Sequence, residues 1–266
     1  MQIINKVFVV TGAGNGIGRE VALQILAKGG KVAAIDIDQA GLKTTLELAQ
    51  DNLENISIHQ ADLTDLDQIE KLKEQIIKIH QVIDGLMNVA GIVQPFISVN
   101  EIDYRKVHQV MNVNFFGTLH MVKTFLPILL SRPEAHITNV SSMGSFVPVP
   151  GQSVYGASKA AVNLLTLGLR SELKDTPVGV TLILPGGVAT DIVKNSGVNL
   201  NPQMVNSAGS NYKLLTPKKA AELIIKATEK NKYRVPIGQD AKFMNFLAKL
   251  CLNKAANLIA KKISNL

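Results

Sequence analysis

Short apolar stretches rich in β-branched residues alternate with longer stretches of helical periodicity along most of the chain. The strand candidates are KVFVV, KVAAI, ISIHQ, VIDGLMNV, HITNV, GVTLIL and YRVPI, and the helix candidates lie near residues 16–29, 39–53, 64–80, 104–131, 153–174 and 217–229. Parallel strands need crossover connections and burial on both faces, so this alternation is typical of a parallel sheet covered by helices. We predict an α/β fold, a doubly wound parallel sheet of about seven strands with helices on both faces.

Two segments depart from this pattern. Residues 191–215 are rich in Asn and Ser, lack clear periodicity and follow the sixth strand candidate, where such a sheet presents its ligand-binding edge, so we predict a lid there. The tail, residues 241–266, is predicted to be a basic amphipathic helical extension of a domain that spans residues 1–240. Its apolar positions at helical spacing are Phe243, Phe246, Leu247 and Leu250, and the lysines turned away from them are Lys242 and Lys249.

The net charge of +7 belongs mostly to the tail region. From Asn231 to the end, seven basic residues stand against one acid, Asp240, which leaves +1 for the first 230 residues. A nucleic-acid groove would need basic residues across the domain and interleaved aromatic residues for stacking, whereas the chain has no Trp. We therefore expect no nucleic-acid partner.

Cysteine and histidine usage, together with the absence of targeting patterns, indicates the cellular compartment and whether a metal site is expected. The single cysteine, Cys251, and the five scattered histidines favour a reducing cytoplasm and no metal site. No export signal begins the chain, and no apolar stretch approaches the roughly 20 residues that span a bilayer. We expect a cytoplasmic protein whose membrane contact, if any, is peripheral.

A glycine-rich loop, TGAGNGIG at residues 11–18, joins the first strand candidate to the first helix candidate. Glycines let the backbone turn tightly and approach a pyrophosphate, which the free N–H groups at a helix N-terminus stabilise. A glycine cluster alone also fits a structural turn, but Asp36 at the end of the second strand, about 20 residues on, favours a dinucleotide site. No Lys completes a P-loop pattern, which counts against nucleoside triphosphate hydrolysis.

Asp36 also distinguishes between the two nicotinamide cofactors. A carboxylate there accepts hydrogen bonds from the ribose hydroxyls of NAD and repels the 2′-phosphate of NADP. Neither Asn15 nor Ile37 supplies a positive charge that would pair with the 2′-phosphate of NADP. Arg19 is the one residue that would favour NADP. NAD is therefore predicted over NADP.

Tyr155 and Lys159 are four residues apart in YGASK, at the start of a strongly helical segment. This spacing puts both side chains on one helix face. By itself such a pair usually lies on the helix surface and has no catalytic role. Tyrosine titrates near 10 in water, so acid–base work near neutrality requires lowering its pKa by on the order of 2 to 3. A neighbouring ammonium, aided by the cationic ring of the oxidised cofactor, is a plausible source of that effect.

Taken together in chain order, these motifs resemble the short-chain dehydrogenase/reductase family over roughly residues 5–237. The resemblance implies a single-domain Rossmann fold and an NAD(H)-dependent oxidoreductase that interconverts a secondary alcohol and a ketone. Val89 departs from the family, which often has a second Asn there, and we expect only a local effect on cofactor packing or stability. The elements that carry the resemblance are TGAGNGIG, Asp62-Leu63, Asn88 with Ala90 and Gly91, Asn114 in NVNFFG, Ser142 in NVSS, YGASK, and Pro185-Gly186 leading to Thr190.

The resemblance also implies roles for these residues. Tyr155 transfers the proton, and Ser142 hydrogen-bonds the substrate oxygen. Lys159 lowers the tyrosine pKa and binds the ribose, while Asn114 holds a water that connects Lys159 to solvent. Asp62 and Leu63 contact adenine, and Val188 and Thr190 hold the carboxamide. The full set of expected cofactor-binding residues is Gly12, Asn15, Gly16, Ile17, Gly18, Asp36, Asp62, Leu63, Asn88, Ala90, Gly91, Tyr155, Lys159, Pro185, Gly186, Val188 and Thr190.

The family's substrates are so varied that fold and catalytic residues do not name one. The residues expected around the reaction site are mainly apolar, which predicts a medium-sized hydrophobic alcohol or ketone. The predicted substrate residues are Ser142, Met143, Phe146, Gln152, Tyr155, Val93 and Gln94, with Phe96 and Val147 beside them and Ile192, Met204 and Val205 supplied by the lid.

Two alternatives stay open on the sequence alone. A non-catalytic NAD(H)-sensing or scaffold protein would share this fold, although the presence of Ser142, Tyr155, Lys159 and Asn114 favours an enzyme. For the tail, three roles stay open: it caps the core, it packs against another subunit, or it rests on an anionic membrane surface. The family resemblance further implies a homodimer or homotetramer, built through the helices that contain Asn114 and Tyr155.

Overall fold

The computed structural model describes residues 1–197 and 214–264. One sheet of seven strands lies at its centre, in the order β3-β2-β1-β4-β5-β6-β7, and every neighbouring pair is parallel. The predicted doubly wound parallel sheet is confirmed. The strands are β1 (Val7–Thr11), β2 (Lys31–Asp36), β3 (Ile56–Gln60), β4 (Gly85–Asn88), β5 (Ala135–Val140), β6 (Val178–Pro185) and β7 (Arg234–Ile237).

Helices connect the strands and cover both faces of the sheet. Several begin at a side chain that accepts a backbone N–H of the first turn, among them Asn15, Asp38, Asp65 and Thr216, which satisfies donors that a helix start leaves unpaired. The helices are α1 (Gly16–Ala27), α2 (Gln39–Leu48), α3 (Leu66–His80), α4 (Tyr104–Met111), α5 (Gly117–Leu130), α6 (Ser153–Glu172), α7 (Ile192–Asn195), α8 (Pro217–Glu229), α9 (Gln239–Leu250) and α10 (Leu252–Ser264).

The core has two layers because successive side chains of a strand point to opposite faces of the sheet. In β1, Phe8 and Val10 pack in the layer that contains Ile25 of α1 and Ile224 of α8. Val9, between them, packs in the opposite layer with residues of α3 and α5. Burial on both sides explains why the strand sequences are almost entirely apolar.

The chain reverses its winding direction between β1 and β4, which are neighbours in the sheet. The connections on either side of this point lead away from each other, so a crevice opens at the carboxyl ends of the two strands. The Thr11 hydroxyl holds its edges together by accepting hydrogen bonds from the backbone N–H groups of Val89 (3.1 Å) and Ala90 (3.2 Å).

A π-helical stretch, Asn112–Phe116, joins α4 and α5 into one continuous helix from Tyr104 to Leu130. Among the described residues this is the helix long and apolar enough, by length and composition, to cross a membrane, so the expectation that no stretch reaches that length is wrong. It packs as a core helix, with Met121, Phe125 and Leu129 buried beneath the sheet.

The tail forms the two helices α9 and α10, but of the apolar face predicted for α9 only Leu247 packs against the protein. Ala241 and Met244 face the protein, whereas Phe243, Phe246 and Leu250 are 47%, 62% and 68% exposed. The sequence places apolar residues on both sides of this helix, so periodicity alone did not reveal which side packs inward.

Candidate active site

A cleft of about 570 Å³ lies at the carboxyl edge of the sheet, where β1, β2 and β4 end. This volume is in the usual range for sites that bind small molecules and cofactors. Eleven of the residues predicted to bind the cofactor line it: Gly12, Asn15, Gly16, Ile17, Gly18, Asp36, Asp62, Leu63, Ala90, Gly91 and Thr190.

The glycine-rich loop is packed too closely to accept side chains at several positions. Gly12 has a φ of 71°, and a Cβ there would lie 2.9 Å from the backbone of Ala90. A Cβ on Gly18 would overlap the carbonyl of Gly12. The Asn15 side chain accepts the N–H of Gly16 at 2.6 Å and so fixes the start of α1, whose N-terminus opens onto the cleft. The loop therefore presents bare backbone to the cleft, which is what a pyrophosphate needs.

Asp36 lies at the end of β2 on the wall of the cleft. Its carboxylate accepts the N–H groups of Gly14 (2.8 Å) and Asp38 (3.0 Å), which fixes its orientation. Ile37, which also lines the cleft, is 63% exposed and carries no charge.

Arg19 is the nearest candidate for binding a 2′-phosphate, and its guanidinium is already engaged. It donates to the carbonyls of Gly14 and Gly41 and, at 3.0 Å, to the hydroxyl of Thr45. These bonds tie α1 and α2 together beneath the glycine loop and hold the positive charge there.

The predicted proton-transfer residues meet beside this cleft. Ser142 follows β5, and Tyr155 lies in the first turn of α6. A Cβ built on Gly144 would be 3.5 Å from the Ser142 Oγ and 3.7 Å from the tyrosine ring, so the two side chains share one small space. A hydrogen bond from Ser142 to the phenol lowers the tyrosine pKa, but burial raises it by more, and the net direction is upward.

Lys159 is 3% exposed and lies one helical turn after Tyr155. Its Nζ donates to the carbonyl of Val140 at 3.1 Å, and burial lowers its pKa from 10.5 to about 8. A Cβ on Gly91 would lie 2.9 Å from this Nζ, so a glycine is needed for the lysine to reach the cleft edge.

The expected lowering of the Tyr155 pKa by Lys159 is not seen within the protein alone. Burial and Ser142 dominate the pKa of the phenol, and the lysine contributes no resolved effect. The i, i+4 spacing correctly placed both residues on one helix face, but it did not reveal that the ammonium is directed to the Val140 carbonyl. In this environment the phenol holds its proton more firmly than it does in water.

Asn114 occupies the middle of the π-helical stretch and is completely buried. Its side chain accepts the N–H of Ile92 (2.8 Å) and donates to the Ile92 carbonyl (3.0 Å) and to the Ser158 hydroxyl (2.9 Å). It thereby ties the loop after β4 to the helix that carries Tyr155 and Lys159. The predicted role of holding a water stays a prediction.

Gln94 and Gln152 were predicted to contact substrate, which stays a prediction, and in the structure both make supporting contacts within the protein. The Gln94 amide accepts the N–H of Tyr155 (2.9 Å) and donates to the Gly151 carbonyl (2.8 Å), while Gln152 donates to the Gln94 carbonyl (2.9 Å). Both are buried, and the Gln152 Oε1 has no partner among the described residues. Gln94 thus fixes the backbone of Tyr155, a role that only the tertiary structure reveals.

Besides Tyr155 and Lys159, which lie beside the cleft, four of the predicted cofactor residues are absent from its lining. Asn88 is buried and donates to Asn139 at 2.8 Å, which ties β4 to β5. The other three, Pro185, Gly186 and Val188, belong to the segment that follows β6. Asp240, at the start of α9, accepts the Gly187 N–H at 2.7 Å and so connects this segment to the tail.

The apolar candidates for substrate contact divide into two groups. Met143, Phe146 and Val147 pack against the tail helices around Met244, while Val93 is buried and its N–H donates to the Ser196 hydroxyl at 2.9 Å. Phe96 is 37% exposed. Of the predicted lid, Ile192 lies in α7 and lines the cleft, whereas Met204 and Val205 fall in residues 198–213, outside the described part of the chain.

Sequence reasoning missed several residues of the cleft. Gln109 and Val113 are four residues apart in the N-terminal half of the continuous helix, and no motif in the sequence marked them. Val89, the noted departure from the family, lines the cleft and packs against the core around α1. The others are Gly14, Ile35, Ile37, Asp38, Ala61 and Ile92, while Asp191 and Asn195 belong to the predicted lid.

Comparison with known proteins agrees with this geometry. The profile of the short chain dehydrogenase family matches residues 6–201. SadH of Mycobacterium tuberculosis is 31% identical over 264 residues, covering 97% of this chain and 95% of that protein. An uncharacterized oxidoreductase of Staphylococcus saprophyticus is 34% identical over 193 residues, covering 72% of this chain and 82% of that one.

Solved structures show the same architecture. A short chain dehydrogenase/reductase from Burkholderia phymatum, crystallised with NAD, superposes with a TM-score of 0.82 at 26% identity, over 89% of this chain and 90% of that chain. Levodione reductase, at 23% identity, shares the fold with a TM-score of 0.80. With the profile match covering most of the chain, the protein belongs to the short-chain dehydrogenase/reductase family of oxidoreductases.

Proposed function

We propose that this protein is an NAD(H)-dependent oxidoreductase that interconverts a secondary alcohol and a ketone on a hydrophobic small molecule. The observation that carries the proposal is the grouping of Ser142, Tyr155 and buried Lys159 beside a glycine-lined cleft. The cleft fits a dinucleotide because no side chain intrudes at Gly12 or Gly18 and the N-terminus of α1 opens onto it. Bound in this cleft, NAD(H) would supply the hydride acceptor or donor for the reaction.

The residues of this chain supply the proton. The Ser142 hydroxyl orients the substrate oxygen toward the Tyr155 phenol, which holds or releases the proton at its Oη. Because burial raises the tyrosine pKa, the phenol is protonated at neutral pH and suited to donate a proton to a ketone oxygen. Alcohol oxidation requires the deprotonated phenol, so its rate is expected to rise with pH.

Preference for NAD rests on the electrostatics of the cleft wall. Asp36 is held facing the cleft by two backbone N–H groups, and the one nearby guanidinium, that of Arg19, is engaged beneath the loop. Repulsion between this carboxylate and a 2′-phosphate is worth about 3 kcal/mol at an effective dielectric near 20, which corresponds to a preference of about 100-fold.

The experiment follows NADH consumption with a panel of ketones that includes hydrophobic, charged and sugar substrates. Tyr155→Phe should lower kcat by about 10² to 10⁴ while leaving NADH binding intact. Asp36→Asn, which keeps the size of the side chain, should reduce the ratio of kcat/KM for NADH over NADPH. Turnover restricted to charged or sugar substrates would contradict the hydrophobic assignment. Tight NADH binding without turnover of any substrate would favour the sensor alternative.

A further inference from the structure

The outward side of α9 carries a stripe of apolar side chains. Phe243, Phe246 and Leu250, spaced by three and four residues, lie on one helix face and are 47%, 62% and 68% exposed. The opposite face of the same helix is used for packing, since Ala241 and Met244 are buried. We call Phe243, Phe246 and Leu250 the outer stripe.

The inward side of the helix already accounts for its attachment to the protein. Met244, Leu247 and Ala248 pack with Met143, Phe146 and Val147 of the loop after Ser142. At its start, Asp240 accepts the Gly187 N–H at 2.7 Å. The outer stripe is therefore not needed to hold the helix in place, and two phenylalanines in solvent carry a cost that a partner would remove.

Apart from Asp240, whose carboxylate accepts the Gly187 N–H, the charged side chains of α9 and α10 are all positive. Lys242 and Lys249 are exposed and, four residues before and three residues after Phe246, lie next to the stripe and not turned away from it as the sequence predicted. Lys254 is exposed on α10. Residues 241–266 contain no Asp or Glu at all. Further apolar groups, Leu252 at 52% and Leu258 at 44%, are exposed on α10 beside these lysines.

We propose that the outer stripe docks this protein onto an anionic lipid surface. Aromatic and leucine side chains on one face enter the boundary between headgroups and acyl chains, while flanking lysines remain at the level of the phosphates. Each lysine near such a surface strengthens binding by about fivefold. A second copy of the chain fits this face less well, because two-fold packing would bring the same lysines together with no carboxylate from the tail to compensate.

Docking in this way has a consequence for the substrate. The loop Met143–Ser145, next to Ser142, lies on the other side of α9 from the outer stripe. A protein bound through the stripe thus holds its reaction site within one helix thickness of the lipid, where hydrophobic alcohols and ketones concentrate. The docking itself does not depend on the proposed activity.

The test is cosedimentation of the full-length protein with phosphatidylcholine vesicles that do or do not contain phosphatidylglycerol. Wild type should pellet with the anionic vesicles and be released by high salt. Phe243→Ser with Phe246→Ser, and separately Lys242→Gln with Lys249→Gln, should each weaken binding at least ~10-fold. Leu48→Ser and Lys43→Gln, both at exposed positions on α2, are the matched controls and should bind as wild type does.

Because the stripe residues are exposed, the variants should keep the thermal unfolding midpoint of the wild type, which separates docking from folding. The proposal is overturned if wild type does not pellet with anionic vesicles, or if the phenylalanine variant pellets as well as wild type. It is also overturned if that variant has an altered oligomeric state in lipid-free sedimentation velocity, which would assign the stripe to a contact between copies.

Discussion

Lys159→Met should make the protein more stable and much less active. The ammonium is 3% exposed, and burial lowers its pKa from 10.5 to about 8. A difference of one in pKa equals about 1.36 kcal/mol, so keeping this charge inside the folded protein costs about 3 kcal/mol at neutral pH. Methionine has a similar length and no charge, and its substitution removes that cost.

The gain is reduced by one lost hydrogen bond. Lys159 donates to the Val140 carbonyl at 3.1 Å, and leaving this buried acceptor unpaired costs about 1 kcal/mol. We therefore expect the free energy of unfolding at pH 7 to rise by about 2 kcal/mol. Activity should fall sharply, because the side chain at the cleft edge is lost.

The pH dependence distinguishes this reasoning from ordinary repacking. Below pH 8 the lysine is protonated in both the folded and the unfolded state, and the wild type bears the full cost. Between about 8 and 10.5 the folded state has released the proton and the unfolded state has not, so wild-type stability rises with pH. The advantage of Lys159→Met should therefore shrink as the pH is raised from 8 toward 10.

The assay is urea unfolding followed by circular dichroism at pH 7 and again near pH 10, with wild type, Lys159→Met and the exposed-site control Lys43→Met. The control should differ little from wild type at either pH. A Lys159→Met protein that is less stable than wild type at pH 7, or whose advantage is unchanged at high pH, would refute the assigned cost of the buried charge.

Three further predictions concern the loop, the helix start and acid stability. Gly18→Ala should abolish NADH binding measured by fluorescence titration, since a Cβ there overlaps the Gly12 carbonyl; unchanged affinity would contradict the packing. Gln94→Leu should lower the free energy of unfolding by about 2 kcal/mol and reduce kcat, because the Tyr155 N–H loses its acceptor; urea unfolding and steady-state kinetics check both. Burial lowers the pKa of His136 from 6.5 to about 3, so as pH falls below 6.5 the unfolded state takes up a proton that the folded state does not, and stability falls by about 1.4 kcal/mol for each pH unit. His136→Gln should remove that contribution to the slope in urea unfolding across this pH range, and the exposed-site control His108→Gln should not.

The sequence by itself determined the fold and the position of the site. Strand and helix periods alternate because strands buried on both faces must be apolar throughout, whereas helices need only one apolar side. Because of that rule the order of strands and helices can be predicted from the sequence. In a parallel sheet this order places the carboxyl ends of β1, β2 and β4 at one edge of the sheet. The sequence also predicted the glycine loop, Asp36 and the Tyr155–Lys159 pair, because each of these motifs is defined by residues that are close together in the chain.

The tertiary structure alone decided how these groups are held and which surfaces remain open. Gln94 caps the tyrosine backbone from 61 residues away, and Asp240 fixes Gly187 from 53 residues away, so no local pattern predicts either contact. The pKa of Tyr155 depends on how much of the ring is buried, which spacing does not measure. Likewise α9 has apolar residues on two faces, and only the packing of Met244 against the loop after Ser142 determined that Phe243 and Phe246 face outward.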